Sequence, residues 1–199
     1  NEIVENNHES LFNNIVNVYT KNDAIYAVPT AFNMPIIIGE NVSNIKNLNS
    51  LISRCEEIVQ SEEITLNISS AEELVDTFYE SISTNILRED KTLNVEDIED
   101  ALNKFKSIYE LTVSNLSEEE KEIIKDNRQY MDRFTSLYLV NKNANMNISN
   151  IKSYKDILFI SGIKEQYKCD YTLWNGDNGS YFKAIDVVGI NSNSKNKDI

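Results

Sequence analysis

Apolar residues in this chain recur mostly at helical spacing. Ile3, Val4, Leu11, Phe12, Ile15, Val16, Val18 and Tyr19 predict an amphipathic helix, with His8 on its polar portion. Ile45, Leu48, Leu51, Ile52, Cys55, Ile58 and Val59 share one face of a second helix, which directs Cys55 toward a core. Ser70-Ala71-Glu72-Glu73 is a capping-box pattern: the serine oxygen accepts from the Glu73 amide while the Glu73 carboxylate reaches back. It opens a helix whose core face is Leu74, Val75, Phe78, Tyr79, Ile82 and Ile86. Asn94 caps the next, which carries Val95, Ile98, Ala101, Leu102, Phe105, Ile108, Tyr109 and Thr112. Ser117-Glu118-Glu119-Glu120 repeats the capping box ahead of Ile123, Ile124, Tyr130, Met131, Phe134, Leu137 and Tyr138. The short link between these last two predicts an antiparallel helical hairpin. Ser149 is expected to cap a final short helix through Ile151, Tyr154, Ile157 and Leu158 that stops near Gly162.

Other stretches follow a strand's logic. Residues 24–28 and 34–38 are uncharged, rich in β-branched side chains and punctuated by Pro29 and Pro35, so they read as two short buried strands flanking a turn. If left uncovered, the same stretch would mark a partner surface. Between Glu63 and Ser69, Ile64, Leu66 and Ile68 alternate with Thr65 and Asn67, the period of a half-buried strand. Tyr167, Cys169, Tyr171 and Leu173 alternate with Lys168, Asp170, Thr172 and Trp174, and a second β-rich run covers residues 180–190. Between them Asn175-Gly176-Asp177-Asn178-Gly179 is dense in residues that tolerate positive φ, so a hairpin turns there. Together these patterns predict an α+β fold, mainly helical, with a small antiparallel sheet to which the C-terminal hairpin and the strand at residues 63–69 contribute. A single domain is expected over residues 1–190, with a sub-boundary candidate in the Asn-rich linker or loop at 141–150 and a disordered tail at 191–199.

Charge narrows the partners. With 32 acidic against 19 basic side chains among 199 residues, the formal net charge of -13 repels phosphate backbones and anionic headgroups. No nucleic-acid partner is therefore expected. The uncharged stretch at 24–39 is too short for a membrane helix and is interrupted by proline, so direct membrane insertion is not expected either. Asn1 stands where a full reading frame has Met, which leaves room for a leader or anchor ahead of it.

Candidate chemistry is sparse. The nucleotide-binding, serine-hydrolase and zinc-protease motifs are missing, and His8 is the sole histidine, so a Cys/His metal site lacks ligands and no cofactor is expected. Acid clusters such as Glu118-Glu119-Glu120-Glu122 suit the first turn of a helix, whose dipole they complement. Asp177-Asn178-Gly179 looks like part of a calcium loop but lacks oxygen ligands at the required spacing. Cys55 and Cys169 either form a disulfide, if the protein is exported, or stay unpaired in the core. The sequons at Asn41, Asn67, Asn115, Asn147 and Asn178 are no more than an Asn-rich composition produces by chance.

The binding candidates gather at the hairpin: Tyr171, Trp174, Asp177 and Tyr181, with Phe182 beside them, either form an aromatic platform for a glycan or protein partner or pack partly on the helices. The reading that best fits these features is a non-enzymatic extracytoplasmic binding or assembly protein, located extracellularly or at the cell surface. A carboxylate-based hydrolase and an intracellular, cytoplasmic helical interaction module are the alternatives.

Overall fold

The computed structural model describes residues 17–22, 24–60, 64–87, 90–130, 144–167, 169–176, 179–180 and 182–189. Residues 3–16 of the N-terminal helix predicted over residues 3–19, the C-terminal tail and the helical positions from Met131 to Tyr138 lie outside that set. Contacts gather in two compact units, Met34–Tyr181 and Asn1–Asn33 with Phe182–Ile199.

In the larger unit the sheet forms around Ile36, Ile37 and Ile38, which are 0, 0 and 1% exposed. They belong to β3 (Val28–Gly39), preceded by the two-residue strands β1 (Thr20–Lys21) and β2 (Ala24–Ile25). β4 (Met146–Ile151) and β5 (Asp170–Leu173) pair antiparallel with opposite edges of β3, in registers that set Ile36 against Ser149 and Leu173. Strand alternation sends Ile36 and Ile38 to one face and Ile37 to the other. Ile36 and Ile38 meet Ile160 and Ile163 of α5 (Tyr154–Tyr167) together with Ile151 and Cys169. Ile37 faces the main core, built by α1 (Leu48–Val59), α2 (Ala71–Ile86) and α3 (Val95–Leu111) with Leu48, Leu51, Cys55, Phe78, Phe105 and Ile108. Burial on both faces explains why this strand reads as a continuous apolar run rather than an alternation. Gly39 ends it where the chain has no room for a side chain: a Cβ there would press into the Asn145 carbonyl oxygen.

The fold class is the predicted one, α+β with helices around a small antiparallel sheet. Its details differ at several places. Residues 24–38 are not two strands flanking a turn, because β3 runs unbroken through Pro29 and Pro35. The Asn-rich segment is not structureless: its second half is β4, held by six residue pairs along β3. Ser149 therefore sits in a strand, five residues ahead of the helix that begins at Tyr154. α5 is instead opened by Ser153 and by Asp156, whose carboxylate accepts from the Lys152 and Ser153 amides at 2.8 and 2.7 Å. It continues through Gly162, a residue that weakens a helix by only about 1 kcal/mol.

Residues 64–69 do not form an alternating strand, since Thr65, Leu66, Asn67 and Ile68 are all buried. They lie along the outer edge of β4 through one parallel bridge, Leu66 to Met146, and through amide bonds from Asn145 to the Ile64 carbonyl and from Met146 to the Thr65 carbonyl. Asn67 supplies the next acceptor from its side chain: the Ile148 amide donates to its Oδ1 at 3.0 Å. Asn67→Ala strips that acceptor from a part-buried N–H, and a urea titration is expected to show a loss of about 1 to 2 kcal/mol. A change within a few tenths of a kcal/mol would mean the edge is held without it.

The capping boxes are largely as read. Ser117 and Glu120 exchange both bonds at the start of α4 (Glu118–Tyr130). At α2, Ser70 accepts from the Glu73 amide, but the Glu73 carboxylate takes the Ser69 amide and hydroxyl rather than those of Ser70. Asn94 is the N-cap residue of α3, yet its side-chain Nδ2 donates to the Asp97 carboxylate instead of its Oδ1 capping a backbone N–H. The described contacts of α3 run chiefly to α1 and α2, so it is not half of a simple hairpin with α4. Val75, Tyr79, Val95, Leu102 and Ile123, assigned to core stripes from periodicity, are exposed at the stripe margins.

The residues flanking the predicted turn pair antiparallel as β6 (Asn175–Gly176) and β7 (Gly179–Ser180), and Asp177 and Asn178 between them lie outside the described residues. The runs flanking it do not pair with each other. β5 joins residues 36–39 of β3, whereas β8 (Lys183–Val188) joins residues 28–33 in the smaller unit.

Candidate functional site

Of the four binding candidates around the turn, two are described. Trp174 is 2% exposed, with its ring centroid 5.1 Å from that of Phe78 and its backbone amide donating to the Pro35 carbonyl. Strand alternation places it, like Thr172, on the face of Ile37, so it is a core residue and offers no surface to a ligand. Tyr171 points the other way and stands half-exposed, with the Lys164 ammonium 5.9 Å from its ring centroid. Lys164 also donates to Asp170 at 2.9 Å. That bond, with one from the Tyr171 amide, holds the Asp170 carboxyl below its ordinary range and raises Lys164. The pair's contribution is present above the unfolded carboxyl's range and fades as pH falls through the lowered Asp170 value. Asp177 and Tyr181 lie outside the described residues.

The two cysteines are free and buried in separate clusters, so the disulfide alternative is not realised. Burial pushes the Cys55 thiol up to about 12 and raises Cys169 as well. Neither supplies a thiolate at neutral pH, the species a nucleophile or metal ligand needs. Among the described residues no group of three His, Cys, Asp or Glu side chains could hold a metal ion. Asp90, Glu120 and Asp170 all titrate below the ordinary range because each carboxylate accepts hydrogen bonds, opposite to the raised value that serves a general acid. Asn67 and Asn147 are buried, which closes those two sequons in the folded chain.

Two concavities of the larger unit are lined by described residues. One, of about 700 Å³, runs between the first turns of α2 and the start of α4. Ser69, Glu72, Glu73 and Asp76 line one side, and Lys121, Glu122 and Lys125 the other. The i, i+4 spacing of Glu72 with Asp76, and of Lys121 with Lys125, turns each pair toward the groove. The sequence contains both spacings, but which helices face each other is a tertiary fact. Hydroxyl, carboxylate and ammonium groups together can donate to and accept from a polar solute. The second, of about 360 Å³, is lined by Val59, Ile64, Leu111, Thr112, Leu116 and Glu120 where α1 and α3 end. No described helix is long and apolar enough to cross a membrane.

No family model and no curated relative matches the sequence. Solved structures do match, and the fold is one that extracellular and periplasmic solute-binding proteins use. The GacH receptor of Streptomyces glaucescens, known unliganded and with acarbose, superposes with a TM-score of 0.54 at 15% identity, over 92% of this chain and 48% of that one. An ABC transporter solute-binding protein of Thermotoga lettingae, bound with α-D-tagatose, gives 0.51 at 14% identity, over 98% and 53%. Clostridium botulinum thiaminase I in complex with thiamin gives 0.54 at 18% identity, over 96% and 54%. The chain thus spans about half the length of the solved structures it matches. Likeness at such identities is a likeness of fold, and one fold serves both binding proteins and an enzyme.

Proposed function

We propose that this chain is part of an extracytoplasmic binding protein for a small, hydroxyl-rich solute, a sugar or short glycan. The observation that carries the proposal is the match over nearly the whole chain to receptors whose structures hold acarbose and tagatose. A polar groove of ligand size supports it. The acidic surface favours a neutral or cationic solute over an anion, because the field of a net charge of -13 repels the latter.

Thermal unfolding in the presence of acarbose, D-tagatose, chitin oligosaccharides and thiamin tests this. A sugar at about a hundred times its dissociation constant stabilises by about 2.7 kcal/mol, which for a chain of this size raises Tm by roughly 5 to 11 °C. At least one sugar is expected to do so. A response to thiamin alone would favour an enzyme instead, and no response to any of them at millimolar concentration would overturn the proposal.

A further inference from the structure

Helix α5 has the composition of a buried helix on the surface of the larger unit. Its sequence, YKDILFISGIKEQY, is apolar on most sides, yet Ile160 and Ile163 are its only buried side chains among those described. Tyr154, Ile157 and Leu158 stand 71, 41 and 54% exposed. They fall at i, i+3 and i+4, and Ser161 follows at i+7; Tyr154, Leu158 and Ser161 turn away from Ile160 and Ile163, while Ile157 borders Ile160 at the margin of the stripe. Ser161 donates its hydroxyl to the Ile157 carbonyl at 2.9 Å, so it needs no water. Beside it Gly162 has open space where a Cβ would stand, which lets another backbone come close.

We propose that this stripe is the seam of a homodimer in which α5 packs antiparallel on α5 of a second copy. Charge selects this occupant and this direction. Lys155 and Glu165 are exposed near opposite ends of the helix and make no ion pair among the described residues. A twofold axis through the middle of the seam brings Lys155 of each copy to Glu165 of the other and lays Leu158 over Ser161 and Gly162. A parallel pairing would oppose Lys155 to Lys155 and Glu165 to Glu165. The general repulsion between two copies of net charge -13 disfavours unspecific contacts, so the apolar stripe and its two cross-pairs must supply the attraction. One helix face per copy is smaller than the interfaces of stable dimers, so the association is transient, with a dissociation constant on the order of 10 to 100 μM. It is independent of the sugar-binding proposal and survives if that fails.

Sedimentation equilibrium of the full chain between about 1 and about 300 μM decides the matter. The expected mass rises with concentration toward twice the monomer's. Leu158→Lys is expected to raise the dissociation constant at least thirtyfold, and Lys155→Glu about tenfold, with Glu165→Lys added to the latter restoring it. All three positions are exposed, and an unchanged circular dichroism spectrum of each dilute variant verifies its fold. A monomer at every concentration overturns the proposal. So does a dimer that Leu158→Lys leaves intact, or a charge swap that fails to rescue.

Discussion

Phe78→Ala is expected to destabilise the chain more than any other single truncation, by about 3 to 5 kcal/mol. Phe78 is 0% exposed and shares one core cluster with residues of β3, α1 and α3 and with Trp174 just beyond β5, so no single element can shift to fill the space. Part of the cost is the cavity and part is the tilted ring pair with Trp174, of the kind worth about 0.5 to 1.5 kcal/mol beyond area burial. Thermal unfolding should show Tm falling by roughly 6 to 20 °C. Because Trp174 is the only tryptophan in the sequence, its fluorescence reports on the same contact. A loss below about 1 kcal/mol would contradict the central place given to this ring.

Asn147→Leu is expected to act in the opposite direction, raising stability by about 2 to 4 kcal/mol. Asn147 is 0% exposed, and neither its Oδ1 nor its Nδ2 finds a partner among the described residues. Register places it opposite Ile38, on the face where Ile36, Ile151, Ile160 and Ile163 pack. Removing two desolvated polar atoms from an apolar layer returns their burial penalty, and leucine has nearly the same shape. Asn147→Asp is the matching control and should destabilise, since it adds a buried charge. Urea midpoints of the three proteins test the account, and a leucine variant less stable than the wild type would show that the amide is held by partners after all.

Asn147 also explains why β4 is hard to read from sequence. Met-Asn-Ile-Ser-Asn-Ile alternates, but asparagine and serine are poor strand formers, and the buried positions include Asn147 itself. Pairing with β3 and the edge made by residues 64–67 override local preference. The helices were legible for the reverse reason. α1 to α4 each carry a clear apolar stripe and, at α2 and α4, a serine–glutamate cap whose chemistry is local. α5 lacks that contrast because it is apolar on most sides, so periodicity could place neither its start nor its end.

For the binding candidates, the residues on either side of the predicted turn do pair, as β6 and β7, but the sequence could not orient the aromatics around it. Period-two alternation makes Tyr171 and Trp174 face opposite ways, yet only the packing of α1 to α3 against β3 decides which face is core. The groove of Glu72, Asp76, Lys121 and Lys125 was invisible for a related cause: two ordinary solvated helix faces become a concavity only when tertiary structure brings them to opposite sides of one groove.

Calorimetric titration of the chain with the sugar that most raises its Tm tests the proposed binding role most directly. The account predicts a saturable heat with one solute per chain that persists with Leu158→Lys, since solute binding and the α5 seam are independent. Heats no larger than dilution at millimolar sugar, in protein shown to be folded by its unfolding transition, would contradict it.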